Sequence, residues 1–315
     1  MSDLARRAVA VGGGTGLPNV LWCLLEMGLS TTAVVTMADD GGSSGHLRRE
    51  LGMLPPGDAR NCLLAMADPD TPLARVLAYR FPHGEGLAGH ALGNLVIAAL
   101  ADIEGSFPAA LDTMGELLGA RGRVLPSTLD DVVLAAEDIA GTRVVGQVNV
   151  AESAAPIDCV RFVGRGTAEA YGPAVEALRE ADLIVVGPGS LFTSLLPNFL
   201  VRGIADALRE SRGRVVLVCN VSNQRGETGG MDAADHVDAL LRHQLEGVFD
   251  VALVHDSDAF PISGDVEPVR GGPDTVARMR AHGIDVVLAD LADPADPRHH
   301  SRERLLRALR DVTRG

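Results

Sequence analysis

Asp39-Asp40-Gly41-Gly42-Ser43-Ser44-Gly45 puts two carboxylates, three glycines and two hydroxyls into seven consecutive residues. A loop that only turns a corner draws on glycine, serine or asparagine and seldom opens on paired acids. Asp39 and Asp40 have two candidate roles. They can hydrogen-bond ribose or sugar hydroxyls, or bind Mg²⁺, an ion that takes one or two carboxylates together with phosphate oxygens. The structural alternative is that one acid caps a short helix beginning at His46. Ser43 and Ser44 can donate to phosphate. Arg48 and Arg60 can neutralise it with bidentate geometry, whereas Arg49 reads as a solvated charge.

Three further stretches share this character. Gly12-Gly13-Gly14-Thr15-Gly16 follows the apolar run Ala8–Val11 and precedes a helical pattern over Leu17–Met27. Leu17 stands where G-x-G-x-x-G has its third glycine. The stretch is therefore a poor dinucleotide fingerprint but a fair sign of backbone approaching phosphate at a helix N-terminus. Gly187-Pro188-Gly189-Ser190 follows the strand-like Asp182–Val186. Asn220–Gly230 follows Val215–Cys219 and carries Asn220, Asn223, Gln224, Arg225, Glu227 and Thr228, polar groups suited to a base edge or sugar hydroxyls. In a parallel sheet the loops at strand carboxyl ends lie along one edge. Four such loops in phase point to a nucleotide or phosphosugar site.

The elements that must position these loops read as an α/β chain. The second strand is expected over Thr31–Met37. Helices are expected over His46–Leu51, from an Asp58 N-cap to Ala67, then over Thr71–Tyr79, His90–Ile103 and Phe107–Gly119. Arg60 and Asn61 fall in a first turn, facing outward, and Asn94 opens an apolar helix. Residues 46–120 thus form a helical layer inserted after two strands. Residues 123–165 are a β-rich excursion: Val132–Glu137 and Val144–Val150 pair about a turn at Ala140-Gly141, and Ile157–Val163 follows. The doubly wound pattern then resumes. Helices are expected over Pro173–Glu180, Phe199–Arg209, Ala233–Gln244, Thr275–His282 and Ser301–Val312, with strands at Val251–His255 and Val286–Leu288. The expected fold is one α/β domain over 1–315, three-layer and Rossmann-like, with a mostly parallel sheet.

Composition narrows the chemistry. The 315 residues carry a formal charge of −14, which argues against nucleic acid or an anionic membrane surface as partner. All 28 basic residues are arginine. A Walker lysine, a Schiff-base lysine and a lysine base are excluded, so anions must be met by arginine, backbone N–H groups or a metal. Cys23, Cys62, Cys159 and Cys219 are widely spaced and read as free thiols of a reducing cytoplasm. A strand begins within a few residues of Met1, leaving no room for a signal peptide, and no run approaches the ~18 apolar residues of a membrane span. His46, His83 and His90 lack metal-ligand spacing, and His299-His300 reads as surface. No Ser–His–Asp set or zinc signature is present.

Six runs together carry a resemblance: Val11-Gly-Gly-Gly-Thr-Gly-Leu17, the 39–45 stretch, Pro55-Pro-Gly-Asp-Ala-Arg-Asn-Cys62, Gly89-His-Ala-Leu-Gly-Asn94, Gly187-Pro-Gly-Ser-Leu-Phe-Thr-Ser194, and Cys219-Asn-Val with Gly226-Glu-Thr228. The chain resembles the YvcK-like gluconeogenesis factors, within the CofD-like superfamily of 2-phospho-L-lactate transferases. The resemblance implies a cytoplasmic Rossmann-like protein that binds a UDP-sugar, UDP-N-acetylglucosamine in particular. It implies a role in cell-wall synthesis and cell shape during gluconeogenic growth, with cell-wall-precursor enzymes as candidate partners; separately, the acidic surface and the amphipathic helix over Ser301–Val312 permit a homodimer. The transferase cousins move a phospho-lactyl group from a guanosine diphosphate carrier to a deazaflavin, with Mg²⁺. This chain departs from the nearer pattern at Phe192 for Tyr, at Ser222-Asn223-Gln224-Arg225 for Met-Thr-Gln-Pro, and at His46 for Arg. Three readings stay open: a nucleotide-sugar-binding regulator without turnover, a Mg²⁺-dependent transferase on a nucleotide-diphosphate-linked substrate, and an NAD(P)-dependent oxidoreductase.

Overall fold

Short runs of Val, Ala, Leu and Ile with no polar alternation cannot face water on either side, and they form the interior of a parallel sheet. The structure is a computed structural model that describes residues 6–153, 155–164, 167–262 and 266–314. Among the described residues ten strands form: β1 (Arg7–Gly12), β2 (Ser30–Val35), β3 (Gly122–Pro126), β4 (Leu134–Asp138), β5 (Arg143–Val145), β6 (Ile157–Phe162), β7 (Leu183–Val186), β8 (Arg214–Val218), β9 (Val251–His255) and β10 (Asp285–Ala289). Seven of them make one sheet in the order β10-β9-β8-β7-β1-β2-β3, every neighbouring pair parallel. The other three make a small antiparallel sheet, β5-β4-β6.

Successive strand side chains point to opposite faces, so one run feeds two cores. Val9, Val11, Ile184 and Val186 enter the core on one face; Ala8, Ala10, Leu183 and Val185 enter the core on the other. Helices Leu17–Glu26, Gly57–Met66, Phe107–Leu118 and Arg302–Arg314 cover the second face through Leu21, Leu63, Leu111 and Leu309. Helices Gly172–Arg179, Ile204–Glu210, Ala233–Leu240 and Pro273–Ala281 cover the first through Leu178, Leu208, Val237 and Met279, and the small sheet packs there with Leu134 and Val160. The three-layer α/β architecture is the expected one.

Four local expectations change. Val124-Leu125-Pro126 is not part of the excursion: β3 pairs with β2 from Thr31↔Gly122 onward and ends the main sheet. Val144–Val150 is a strand only to Val145, because Gly146 takes φ 97° and Gln147–Ala151 is helical. The helix expected from His46 begins at Gly42, so the 42–45 segment is its first turn. The helix expected over Phe199–Arg209 begins only at Ile204, and Leu191–Phe199 before it is a separate, fully buried helical stretch that opens as a π-helical turn.

Candidate functional site

Parallel strands bring the loops after β1, β7 and β8 to one edge, and there they line a cavity of about 900 Å³. Gly14, Thr15 and Gly16 lie at the N-terminus of helix Leu17–Glu26, which has no side-chain cap. Gly189 and Ser190 come from the β7 loop, and Asn220, Gln224, Arg225 and Glu227 from the β8 loop. The loops touch closely. A Cβ on Gly16 would sit 2.6 Å from the Pro188 carbonyl oxygen, so only glycine lets those backbones meet. The Gly189 N–H donates to Asn220 Oδ1 at 3.2 Å, and Asn220 Nδ2 donates to the Gly189 carbonyl at 2.9 Å. Glu227, 2% exposed, accepts from Thr193 Oγ1 at 2.8 Å and from the Phe192 N–H at 3.4 Å, and burial pushes its carboxyl up. Thr228 is buried, and its hydroxyl accepts the Gln224 N–H at 2.9 Å, holding the turn. Gly187 (φ 75°) turns the chain behind the lining.

Asp39, Gly42, Ser43, Ser44, Arg60, Asn61 and Asn94 gather in a second, smaller cleft of about 220 Å³, with Asp58 and Arg80. Ser43 and Ser44 are buried and tie helices together: Ser43 Oγ accepts from Asn94 Nδ2 at 3.0 Å, and Ser44 Oγ accepts the Gly57 N–H at 3.1 Å. Arg60 does not face outward. It is 6% exposed and donates to Asn94 Oδ1 at 2.9 Å and to Asn61 Oδ1 at 2.6 Å. Asp58 is not the N-cap, a position held by Pro56; it lies in the first turn of helix Gly57–Met66. Its Oδ2 lies 2.7 Å from where a Cβ on Gly13 would be, so Asp58 stands between the glycine loop and the cleft.

The electrostatics single out Asp39 and Asp58. Burial, then the Asp39 charge, push the Asp58 carboxyl up to about 6, against the pull of the Gly14 N–H. Burial also raises Asp39, although it accepts the Gly41 N–H at 3.0 Å. Asp40 is placed differently. Its two oxygens accept the Gln147 N–H at 2.8 Å and the Val148 N–H at 3.0 Å, across 107 and 108 residues. The adjacent acids are thus divided between a cleft and a cap. Arg48 lines neither pocket; its Nε donates to Asp131 at 2.9 Å. Among the described residues no group of three or more His, Cys, Asp or Glu is arranged for a metal.

Sequence reasoning passed over Asp58 as an acid of the site, although it lies in the same run as Arg60 and Asn61. It also passed over Gln147, Arg298 and His300, which complete the cavity wall. His300 is buried rather than on the surface. Its Nε2 meets the Cys219 carbonyl oxygen at 3.0 Å, and burial lowers its pKa to about 4, so it is neutral.

The role of Asp40 as a cap is testable. Asp40→Ala strands two N–H groups at the start of helix Gln147–Ala151 and is expected to cost about 1–2 kcal/mol in urea unfolding, with Asp40→Asn losing less. Wild-type stability in Asp40→Ala would remove the cap.

This is a Rossmann-like α/β protein with polar glycine loops at the carboxyl edge of its sheet. The chain belongs to the 2-phospho-L-lactate transferase CofD family, whose profile matches residues 8–292. It is 43% identical over 262 residues to a gluconeogenesis factor of Halalkalibacterium halodurans, covering 83% of this chain and 80% of that one. It is 40% identical over 279 residues to the gluconeogenesis factor of Bacillus subtilis (strain 168), covering 88% of each. Some relatives are longer, and the chain spans 55% of one from Nostoc sp.. A crystal structure of a UPF0052 family member from Bacillus halodurans superposes with a TM-score of 0.89 at 38% identity, over 97% of this chain and 99% of that one. No helix among the described residues is long and apolar enough to cross a membrane.

Proposed function

We propose that this protein is a cytoplasmic nucleotide-sugar-binding regulator that links carbon metabolism to cell-wall synthesis and cell shape under gluconeogenic growth. The observation that carries the reading is the cavity where three strand-end loops meet. A diphosphate suits the Gly14–Gly16 N–H groups at the uncapped start of helix Leu17–Glu26. Gln224 and Arg225, exposed at the wall, suit the base and sugar of a UDP-N-acetylglucosamine-like ligand, while Asn220 holds the Gly189 loop in place beside them. The chain's likeness to gluconeogenesis factors supports the metabolic setting.

A second reading, a Mg²⁺-dependent transferase of nucleotide-diphosphate-linked substrates, is favoured by Asp39 and Asp58. Both are acids whose burial raises their proton affinity, and Asp58 adjoins the glycine loop. That donor set fits a hard cation completed by phosphate oxygens. When bound, the ion would supply positive charge to a phosphate held over the loop. The family match is compatible with this chemistry.

Calorimetry with UDP-N-acetylglucosamine, GDP and NAD, each with and without Mg²⁺, separates the readings. The expected result is UDP-sugar binding with the ligand recovered intact. Release of UMP or GMP would replace the regulator with the transferase, and preference for NAD would overturn both. Arg225 is exposed at the cavity wall. Arg225→Ala is expected to weaken UDP-sugar binding about tenfold, the value of one hydrogen bond to a charged group, at an unchanged melting temperature.

A further inference from the structure

Among the described residues, the buried polar side chains in the wall of the larger cavity are Thr193, Ser222, Glu227 and His300. Three of them spend their hydrogen bonds on the protein. Thr193 donates to Glu227 at 2.8 Å, Glu227 also accepts the Phe192 N–H, and Ser222 donates to the Arg298 carbonyl at 3.1 Å. His300 is engaged on one side of its ring only. Its Nε2 meets the Cys219 carbonyl oxygen at 3.0 Å. A carbonyl oxygen only accepts, so Nε2 carries the ring proton and Nδ1 is left with an acceptor lone pair. Among the described residues no donor reaches Nδ1, and it is not one of the unpartnered atoms sealed inside the protein. It therefore opens on the cavity that His300 lines.

The ring is fixed in place. The neighbouring Ser301 N–H donates to the Leu291 carbonyl at 2.9 Å, and Asn19 Nδ2 reaches the His300 carbonyl at 3.4 Å. Asn19 is itself held, because its Oδ1 accepts Arg302 Nε at 2.8 Å. Burial, with a pKa of about 4, keeps the imidazole neutral, so Nδ1 does not turn into a donor near neutral pH. A diphosphate offers only acceptors there, and cannot satisfy this atom. A rigid buried acceptor discriminates strongly, since a ligand lacking the matching donor leaves it unpaired.

We infer that His300 is a specificity-determining residue of the cavity, its Nδ1 accepting a hydrogen bond from a neutral donor of the bound nucleotide sugar: the imide N–H of the base, a ribose hydroxyl, or a hydroxyl or amide of the sugar. The inference rests on the nucleotide-sugar reading and adds to it a contact that the glycine loops do not make.

Two variants separate the contact from the strut to Cys219. His300→Gln can keep an N–H near the Nε2 position and loses the acceptor. His300→Asn can place an amide oxygen near the Nδ1 position and gives up the Cys219 bond. In calorimetry His300→Gln is expected to bind UDP-N-acetylglucosamine about tenfold more weakly at a melting temperature close to wild type. His300→Asn is expected to bind nearer to wild type while melting lower. UDP, N3-methyl-UDP, 2′-deoxy-UDP and 3′-deoxy-UDP identify the donor. The ligand whose loss of affinity on the wild type disappears in His300→Gln lacks the group that His300 reads, UDP standing for loss of the sugar. Wild-type affinity in His300→Gln overturns the inference, as do losses that follow melting temperature in both variants, or the absence of any ligand whose loss disappears. These outcomes leave the nucleotide reading standing, because the wild type still binds. Failure of the wild type to bind any of the five ligands overturns that reading and this inference together.

Discussion

Gly45→Ala is expected either to prevent folding or to lose at least about 3 kcal/mol in urea unfolding. Gly45 lies in the first turn of helix Gly42–Leu51, where its N–H donates to the Gly41 carbonyl at 2.9 Å. A methyl group there would overlap the Asp40 carbonyl oxygen and stand 2.5 Å from its carbon. These are backbone atoms, so no rotamer change relieves the clash. Nor can Asp40 retreat cheaply, because its carboxylate is fixed on Gln147 and Val148. Gly42→Ala is the informative comparison. Nothing lies within 4 Å of a Cβ at that position, and only its φ of 44° is unfavourable. Its cost should be about 1–2 kcal/mol. Equal stability of the two variants would show that crowding at Asp40 is not what requires Gly45.

Asp58→Asn is expected to stabilise the protein by about 1–2 kcal/mol near pH 8 and by little near pH 4. The sign follows from proton linkage. Asp58 has an ordinary value of 3.8 and is pushed up to about 6 in the fold. Between those values the native state holds a proton that the unfolded chain has released, so stability falls as pH rises through the window. Above about 6 the whole penalty is present; below 3.8 both states are protonated and it vanishes. The magnitude is reduced from the full shift because Asp58 is partly open to the cleft. Urea unfolding across this range measures it, and a gain independent of pH would show that the penalty is not the Asp58 charge. If the acid serves a cation, added Mg²⁺ should raise the wild-type melting temperature and leave Asp58→Asn unmoved. A residue that destabilises the fold at neutral pH is the kind kept for function.

Strands β1, β2, β7 and β8 were legible because each is buried on both faces over most of its length and carries an apolar run with a polar, glycine-containing end. The shared edge of the loops followed from their parallel direction alone. The division of that edge into two pockets was not legible. Ser43 and Ser44 look like exposed loop hydroxyls, and only Asn94 and Gly57 reveal them as buried struts. Asp40 looks equivalent to Asp39 until Gln147, 107 residues away, claims it. Asp58 has the composition and place of a helix cap, and its approach to Gly13 is a tertiary fact. Local patterns find polar groups that can do chemistry; long-range contacts decide which remain free to do it. The reverse error occurred at Val144–Val150, where alternation suggested a strand and a single left-handed glycine ended it.

The position of β1 between β2 and β7 has a consequence for how the chain assembles. β1 can pair with β2 as soon as both are made, since they are near in sequence, and β3 can follow. Its other edge waits for Leu183–Val186, more than half the chain later. During synthesis that hydrogen-bonding edge is open, lined by Val9 and Val11, and available to any other extended segment. The β4–β6 unit is made in the interval and belongs to the core on the face that β7 completes. Closure of the central strand pair is therefore the late, non-local event of folding, and the glycine loop at the end of β1 acquires its neighbour Pro188 only at that moment.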